Sequence, residues 1–515
     1  MNQPKTGELF GHPKGLFILF FTEMWERFSY YGMRAILTLY LVAETTDKNP
    51  GLGWTDKEGL ALYGWYTMLV YVASIPGGII ADKILGQKKS VMYGGFSLVA
   101  GHGILSIEQP WAFYSGLLLI IIGVGLLKPN ISTMVGGLYA EGDERRDKGF
   151  SIFYIGINVG AAAASIIVGI IGESYGWHYG FGLAAIGMVL GQLVYMFGQK
   201  HLETVGNKPV KQVVREGGKE EVSIGKLFKN CFSQPVSKVV TSILLLASIY
   251  YTFFHDIPYG LLYIFLSLVV GMMMAVFNDL DTKIEKDRFI VLLLSFLIVI
   301  VFWGAFEQAG GLMNIYTEAK TNRFVFGWEL PAAIMQSFNP IYIIIFGVPV
   351  AGFWAWWRNR GKESSSLFKM GMGVIIMGLG FIFMVFASRQ YEQLGESALY
   401  WLAFAYLFHT LGELCASPVA LSFITKLAPL RYGALMMGVY FAATGLGNKV
   451  AGIVGESASD AGELTVFTSI TIFCVLFGLL VLALLKPLKR LTHGAEDLKE
   501  PKALEDRMHG EVIEN

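Results

Sequence analysis

The chain has 515 residues, of which 54% are hydrophobic and only 16% are charged, and its formal net charge is zero. This composition is typical of a membrane protein with many spanning helices and excludes a set of ordinary soluble domains. The balanced charge gives no indication of a nucleic-acid partner. The three cysteines, Cys231, Cys415 and Cys474, are scattered and match neither a metal site nor a disulfide framework.

Apolar runs long enough to cross a bilayer predict fourteen membrane helices, arranged as six, then two, then six. The first six are expected at about 15–43, 57–82, 88–107, 111–139, 149–172 and 178–198. The inserted pair is expected at about 236–254 and 258–277. The last six are expected at about 289–313, 329–357, 367–387, 397–426, 434–456 and 464–486. The sequence therefore predicts an all-α polytopic membrane protein.

The charges of the connections test this count of helices. Lysine and arginine are concentrated in alternate connections, for example 83–89, 200–229 and 358–369. The positive-inside rule then places both termini in the cytoplasm, as an even number of helices requires. We therefore expect a multi-pass protein of the cytoplasmic (inner) membrane.

The two six-helix halves resemble each other. The segment from Val168 to Ser174 and the segment from Ala451 to Ser457 both contain the pattern Gly-Ile-x-Gly-Glu-Ser, at the ends of corresponding helices. Repeated halves predict transport by alternating access around a site between them, and chance similarity of glycine-rich packing helices is the alternative. The predicted units are a bundle over 1–198, a loop with two inserted helices over 199–287, a second bundle over 288–487 and a cytoplasmic tail over 488–515.

The first predicted helix carries charged groups in the middle of its apolar run. Helical periodicity places on one stripe the residues Glu23, Glu26, Arg27, Tyr30, Tyr31 and Arg34. Ionisable groups at this depth are costly and are normally kept to move a substrate or an ion. Glu23 and Glu26 are therefore candidate proton carriers. A structural ion network that locks helix packing is the alternative.

Two motifs stand in the first and fifth predicted helices. The first consists of Glu23, Glu26, Arg27, Phe28, Tyr30, Tyr31 and Gly32. The second consists of Phe153, Tyr154, Asn158 and Gly160. Together they resemble the paired signatures of the proton-dependent oligopeptide transporter (POT) family, with further matches at 127–130, 303–308, 336–340 and 412–418. The loop at 78–89 resembles the signature of the major facilitator superfamily, and the inserted helix pair is similar to that of bacterial family members.

The resemblance implies a fold and an activity. The fold is the major facilitator fold, with two six-helix bundles plus two inserted helices. The activity is proton-coupled symport that imports di- and tripeptides, bound between the bundles, with no enzymatic reaction. The expected partners are the peptide, protons and the lipid bilayer. No metal and no cofactor other than the coupling proton is expected, and the oligomeric state stays open.

The resemblance also implies roles for particular residues. Proton coupling is expected of Glu23, Glu26, Arg27 and Glu307. Substrate binding is expected of Arg27, Tyr31, Arg34, Tyr71, Lys128, Tyr154, Asn158, Asn339, Glu413, Ser417 and Tyr440. The expected gates are Arg34 with Glu307 and Lys128 with Glu413. Cations in the first half and a carboxylate in the second fit a zwitterionic peptide that bridges the halves.

Several alternatives remain at this point. Lys128 and Asn339 each precede a proline and could satisfy carbonyls that the proline frees, while the tyrosines could be packing residues. Tyr440 stands where many relatives have tryptophan, so a preference for particular peptides is not carried over. A transporter of a small anion such as nitrate would need the cations but not Glu413, and an uncoupled channel would need no charged, repeated halves.

Overall fold

The computed structural model describes residues 7–140, 143, 145–207, 232, 234–254 and 256–495. Most of the predicted cytoplasmic loop, the end of the predicted tail and Cys231 lie outside these described residues. The first half contains six long helices. They are α1 (Lys14–Val42), α2 (Asp56–Leu85), α3 (Gln87–Leu105), α4 (Pro110–Gly137), α5 (Arg145–Tyr175) and α6 (Trp177–His201).

Two inserted helices and a second set of six follow. The inserted pair is α7 (Pro235–Phe254) and α8 (Ile257–Asp279). The second half is α9 (Lys283–Lys320), α10 (Ala332–Asn359), α11 (Ser366–Leu394), α12 (Leu399–Leu427), α13 (Gly433–Glu456) and α14 (Glu463–Ala483). The predicted span 289–313 is too short at both ends. The first turns of α9 are charged, and its last part follows a tight turn, so an apolar pattern reveals neither end. The predicted boundaries at 198/199 and 287/288 fall inside α6 and α9.

Eleven of these helices are long and apolar enough to cross a membrane, counted over the described residues. The other three, α1, α3 and α13, have comparable lengths but are less apolar, since α1 carries the buried charges and α3 and α13 are rich in glycine. The chain is thus a polytopic all-helical membrane protein. The total of fourteen spans stays a prediction.

Local sequence signals explain several helix ends. Thr55 and Glu58 form a reciprocal capping box at the start of α2, and Thr282 and Glu285 form another at the start of α9. Each box supplies partners for backbone groups that a helix terminus leaves free. Gly395 ends α11 in the left-handed conformation, with φ 79°, which glycine adopts without steric penalty.

Several of the described helices depart from regular geometry. The helix α2 is interrupted at Ala73 and ends in a π turn, Ala81–Leu85. The helix α9 passes through a 3₁₀ turn at Glu307–Ala309, and α10 begins with a 3₁₀ turn at Ala332–Ser337. Short 3₁₀ and π segments inside helices often occur at functional positions.

The buried apolar side chains form two large clusters. One is built almost entirely from α1–α6 and the other from α8–α14. Within the first half α1 packs on α5 and α6, and within the second half α11 packs on α12 and α14. The halves meet where α2 packs on α13 and where α5 packs on α10. The two contacts correspond to each other in the repeat, since α2 corresponds to α10 and α5 corresponds to α13.

Short β ladders link some of the connections. The strands β1 (Glu8–Leu9) and β2 (His12–Pro13) form a hairpin, as do β4 (Phe324–Val325) and β5 (Trp328–Glu329). The strand β3 (Thr321–Asn322) pairs in parallel with β6 (Ser397–Ala398). We call the side where α1 and α9 begin the proximal side. The opposite side, where α1 ends and α10 begins, is the distal side.

Candidate functional site

The charged residues of α1 form one buried group. Glu23, Glu26 and Arg27 are each at most 3% exposed. The Nε atom of Arg27 lies 3.0 Å from Oε1 of Glu23 and is also paired with Oε2 of Glu26. The four-residue spacing of Glu23 and Arg27 places their side chains on adjacent turns of one face. Because two carboxylates share one guanidinium group, the uptake of one proton would bring the net charge of these three residues to zero.

Cations contact aromatic rings beside this group. The Nζ atom of Lys128 lies 3.8 Å from the centre of the Tyr71 ring, and the guanidinium carbon of Arg34 lies 4.7 Å from that of Tyr31. A cation over an aromatic face is attracted by the ring quadrupole. Lys128 also interacts electrostatically with Arg27. The structure therefore brings together the candidate ligands of the first half, and their roles toward a substrate stay predictions.

Glu413 of α12 is held by an amide from α10. The Nδ2 atom of Asn339 donates to Oε2 of Glu413 at 2.8 Å and to Oγ1 of Thr410 at 3.1 Å. The sequence analysis predicts Asn339 and Glu413 as separate ligands of the substrate, whereas in the structure they are joined by a hydrogen bond. Asn339 fixes the direction of the Glu413 carboxylate, and Thr410 fixes Asn339 in turn.

Lys128 and Glu413 do not form an ion pair in this structure. Within the described part of the chain, neither has an oppositely charged partner within the 4.0 Å limit for a salt bridge. Glu413 is 8% exposed, and its electrostatic partners include Arg34 and Glu307. The first half thus presents an unpaired ammonium group and the second half an unpaired carboxylate. The prediction that these two residues form a gate stays a prediction.

The other candidate ligands lie on three helices. Asn158 of α5 donates from Nδ2 to the Tyr154 carbonyl of its own helix at 2.9 Å, and the Tyr154 side chain is 40% exposed. Ser417 and Tyr440 line one small cavity enclosed by α9, α11, α12 and α13. Tyr154 and Tyr440 both interact electrostatically with Glu413, from opposite halves. The structure therefore places Tyr154, Ser417 and Tyr440 near Glu413 or on its helix.

Arg34 and Glu307 connect the two halves. The Nη1 atom of Arg34 lies 2.8 Å from Oε1 of Glu307, so the contact expected from charge complementarity is present. Tyr63 of α2 donates its hydroxyl to the same oxygen at 2.6 Å. Glu307 begins the 3₁₀ turn of α9, and this turn directs its side chain toward the first half. Two residues from the first half therefore bind one carboxylate of the second.

Further hydrogen bonds cross between the halves next to this pair. Thr38 donates to the Gly310 carbonyl at 2.9 Å, and Asn314 donates to the Ala35 carbonyl at 2.8 Å. Gln336 of α10 donates to the same Ala35 carbonyl at 3.2 Å. All five residues lie toward the distal ends of their helices or in the turns there. The distal part of the interface is thus closed by a network, of which the Arg34–Glu307 pair is one member.

The arrangement of two repeated bundles around opposed charges agrees with comparisons to known proteins. A sequence model described as the POT family matches residues 84–469. The chain belongs to the POT family. Its fold is that of a major facilitator transporter, which is also the fold of the solved POT-family structures to which it is similar.

Relatives match this POT-family chain over almost its whole length. It is 38% identical to the uncharacterized transporter YclF of Bacillus subtilis (strain 168), with 95% of this chain and 97% of the relative covered. It is 33% identical to the di-/tripeptide transporter of Lactococcus lactis subsp. cremoris, with 94% and 97% covered. The crystal structure of a mutant peptide transporter POT in complex with sulfate superposes with a TM-score of 0.79, at 35% identity and with 94% and 97% covered.

Some functional contacts of this POT-family chain were not predicted. Tyr63, Thr38 and Asn314 bind across the interface, but each is an unexceptional polar residue on an apolar helix. Only their neighbours in the other half make them recognisable. Glu173 did carry a signal, because it belongs to the repeated Gly-Ile-x-Gly-Glu-Ser pattern, but the pattern alone did not indicate what the carboxylate contacts.

Proposed function

We propose that this chain is a proton-coupled symporter that imports di- and tripeptides by alternating access. The observation that carries the proposal is the unpaired Lys128 in the first half together with the unpaired Glu413 in the second, among the described residues. A zwitterionic peptide has a carboxylate at one end and an ammonium group at the other. Its two ends would pair with Lys128 and Glu413 at the same time, so that the peptide would bridge the halves.

The positions of the neighbouring residues support this orientation of the peptide. Arg27 and Lys128 would receive the peptide carboxylate, and Glu413 would receive its amino group. The Tyr31 and Tyr71 rings lie against the cations and would offer flat surfaces that tolerate different side chains. The Lactococcus relative is named a di-/tripeptide transporter, and the solved relative holds sulfate, an anion that cationic side chains would bind.

Protons would drive the cycle through carboxylates. The group of Glu23, Glu26 and Arg27 has one carboxylate more than guanidinium groups, and Glu307 is bound by Arg34. Protonating Glu307 would release Arg34 and allow the distal side to open. Each proton that crosses gains about 2.3 kcal/mol per 100 mV of membrane potential, which is sufficient for substantial accumulation. The proximal side would then be the cytoplasmic side, and the present structure would be the state that is closed to the outside.

Uptake by purified full-length protein in proteoliposomes tests the proposal. With an imposed proton gradient, acidic outside, labelled dialanine should accumulate. Unlabelled dipeptides and tripeptides should compete, whereas tetrapeptides and nitrate should not. Failure of every peptide to compete, or competition by nitrate, would overturn the substrate assignment. Uptake that does not depend on the pH gradient would overturn the proposed coupling of peptide transport to protons.

A charge-removing variant tests the observation itself. Glu413→Gln keeps the shape of the side chain and its bond with Asn339 but removes the charge that would hold the peptide ammonium. We expect dipeptide uptake to fall at least tenfold, since a charged hydrogen bond contributes about 1.5–3 kcal/mol. Glu392→Gln, on the exposed distal part of α11, is the matched control and should transport like the parent protein. Equal uptake by the two variants would contradict the proposed role of Glu413.

A further inference from the structure

The repeated Gly-Ile-x-Gly-Glu-Ser pattern marks two places where the halves touch closely. A Cβ added to Gly169 would lie 2.9 Å from Cβ of Ala333, and a Cβ added to Gly452 would lie 2.8 Å from Cα of Gly64. Each glycine therefore lets a helix approach the opposite half: α5 approaches α10, and α13 approaches α2. The glutamate that follows one turn later lies at the distal edge of each contact.

The first of these glutamates binds the opposite half through its side chain. The Glu173 carboxylate accepts hydrogen bonds from the backbone N–H groups of Ala332 and Ala333, at 2.7 and 2.8 Å. These two groups are the first N–H groups of α10. Both alanines are fully buried, so water does not reach them. A carboxylate at a helix N-terminus also gains from the positive end of the helix dipole.

The sequence around α10 explains why this bond is needed. The residue before the helix is Pro331, which has no side-chain oxygen with which to cap the first turn. The first N–H groups of a helix have no partner within the helix, and burying them unpaired is costly. Glu173 supplies the missing cap from the other half of the protein. If the halves separate on this side, α10 loses its cap.

The second glutamate of the repeat behaves differently. Oε1 of Glu456 lies 3.4 Å from Nζ of Lys449, a residue of the same helix. The helix that it faces, α2, is capped by its own residues Thr55 and Glu58 and therefore needs no carboxylate from elsewhere. Two residues that correspond in the repeat thus have different partners, because the facing helices start with different sequences.

Arg323 holds the connection between α9 and α10 near Glu173. Its Nη1 atom donates to the Leu330 carbonyl and lies 3.9 Å from the Glu173 carboxylate. Its Nη2 atom pairs with Glu318 at 2.9 Å and with Glu329 at 3.1 Å. Arg323 therefore places positive charge beside Glu173 while it fixes the segment that leads into α10.

We propose that the bond between the Glu173 carboxylate and the N-terminus of α10 is a second distal latch, which stabilises the state closed at the distal side and acts independently of the Arg34–Glu307 pair. The Glu173 latch joins α5 to α10, whereas the Arg34–Glu307 pair joins α1 to α9. Opening the distal side breaks both. The proposal rests on the alternating access proposed above, but its test needs neither a substrate nor a proton gradient.

The test measures how often the distal side opens. Leu60 of α2 is 1% exposed and lies against Gly311 and Gly455 of the second half, at the interface that Glu173 does not touch. In a background with the natural cysteines replaced by alanine, Leu60→Cys should react with a membrane-impermeant maleimide only when the halves separate. The labelling rate of the full-length protein in proteoliposomes therefore reports the open fraction.

Glu173→Ala should label about tenfold faster than the parent, which corresponds to about 1.4 kcal/mol. Glu173→Gln keeps one acceptor without the charge and should give an intermediate rate. Glu329→Gln is the matched control, since it removes an exposed carboxylate from the same Arg323, and it should label like the parent. Unchanged labelling in Glu173→Ala, or faster labelling in Glu329→Gln than in Glu173→Gln, would overturn the proposal.

A double variant tests the independence of the two latches. Combining Glu173→Gln with Glu307→Gln should multiply the two increases in labelling rate, because separate contacts contribute additively to the free energy. A double variant that labels no faster than the faster single variant would show a single latch and overturn the claim of independence. If Glu173→Ala does not fold, as judged by a broadened elution profile, the Gln variant and the double variant decide the outcome.

Discussion

The distal and proximal sides of this transporter are held together differently. At the distal side, contacts join one half to the other: Arg34 and Tyr63 to Glu307, and Glu173 to α10. At the proximal side, none of the described ion pairs joins the first half to the second. Arg145 binds Glu8 and Asp143, Lys489 binds Glu363, and His493 lies 2.7 Å from Asp287.

The central distal pair also differs in burial from the proximal pairs, although Lys57 and Asp460 form one further, exposed pair between the halves at the distal side. The side chains of Arg34 and Glu307 are 12% and 4% exposed, whereas those of Lys489 and Glu363 are 44% and 36% exposed. Exposed ion pairs contribute at most about 1 kcal/mol, while breaking a buried pair leaves an uncompensated charge that is far more costly. If the two sides open alternately, as proposed, the distal contacts should set the balance between conformations, and the proximal pairs should mainly organise the parts that they join.

The largest effect is expected for Glu307→Gln. The amide can still accept from Tyr63, but it cannot pair with Arg34 as an anion or exchange a proton. Proton-driven peptide accumulation should be lost, while counterflow exchange between equal peptide solutions should continue. Both are measured in the same proteoliposomes. Preserved accumulation would contradict a role for this carboxylate in coupling.

A smaller but clear effect is expected where the helix backbones touch. In Gly452→Ala the new Cβ would meet the Gly64 backbone, which cannot move aside as a side chain can. Overpacking of this kind costs about 1–3 kcal/mol, so the closed distal state should become less populated. Labelling of Ala333→Cys, on the other interface, should accelerate at least fivefold.

Gly438→Ala on the same helix α13 is the control for this steric argument. Its Cβ would meet only the Ile75 side chain, at an ordinary 3.7 Å. The Ala333→Cys labelling rate should therefore stay within about twofold of the parent, since surface or unstrained changes are usually nearly neutral. Equal acceleration by both substitutions would mean that helix propensity, and not contact between halves, is responsible.

Tyr63→Phe should have a moderate effect. The substitution removes the 2.6 Å hydrogen bond to Glu307 and leaves the Arg34 pair in place. A hydrogen bond to a charged group contributes about 1.5–3 kcal/mol, and the remaining ion pair compensates part of this loss. The labelling of Leu60→Cys should therefore rise less than in Glu307→Gln. Tyr406→Phe, which removes a 3.4 Å bond inside the second half, should leave the rate unchanged.

The smallest effect is expected at the proximal side. Lys489→Ala removes an exposed ion pair with Glu363. Partial burial acts to raise the pKa of Glu363, but hydrogen bonds from the Lys489 ammonium and from the backbone N–H and side chain of Ser365 outweigh it and lower this pKa to about 2. After discounting for solvent screening, the loss of stability should stay under about 1 kcal/mol. Transport and distal labelling should both match the parent. A change in either would show that proximal pairs within one half also control the conformation.

The sequence predicted the class of fold and most of the charged site. Apolar runs located the helices because a bilayer demands length and hydrophobicity from each segment. The buried charges of α1 were recognisable because they are costly at that depth, and Glu413 was recognisable because no cation lies near it on α12. The expected contact of Arg34 with Glu307 followed from charge complementarity together with the family resemblance. These features depend on the properties of single segments.

The tertiary structure alone decided which partners meet. The coupling of Asn339 to Glu413, the hydroxyl of Tyr63 on Glu307 and the capping of α10 by Glu173 all join segments that are far apart in the chain. Helical periodicity gives the face on which a residue lies, but not the helix opposite that face. The two glutamates of the repeat make the point most clearly. The same local sequence binds the opposite half in one place and its own helix in the other, because the facing helices differ in whether they cap themselves.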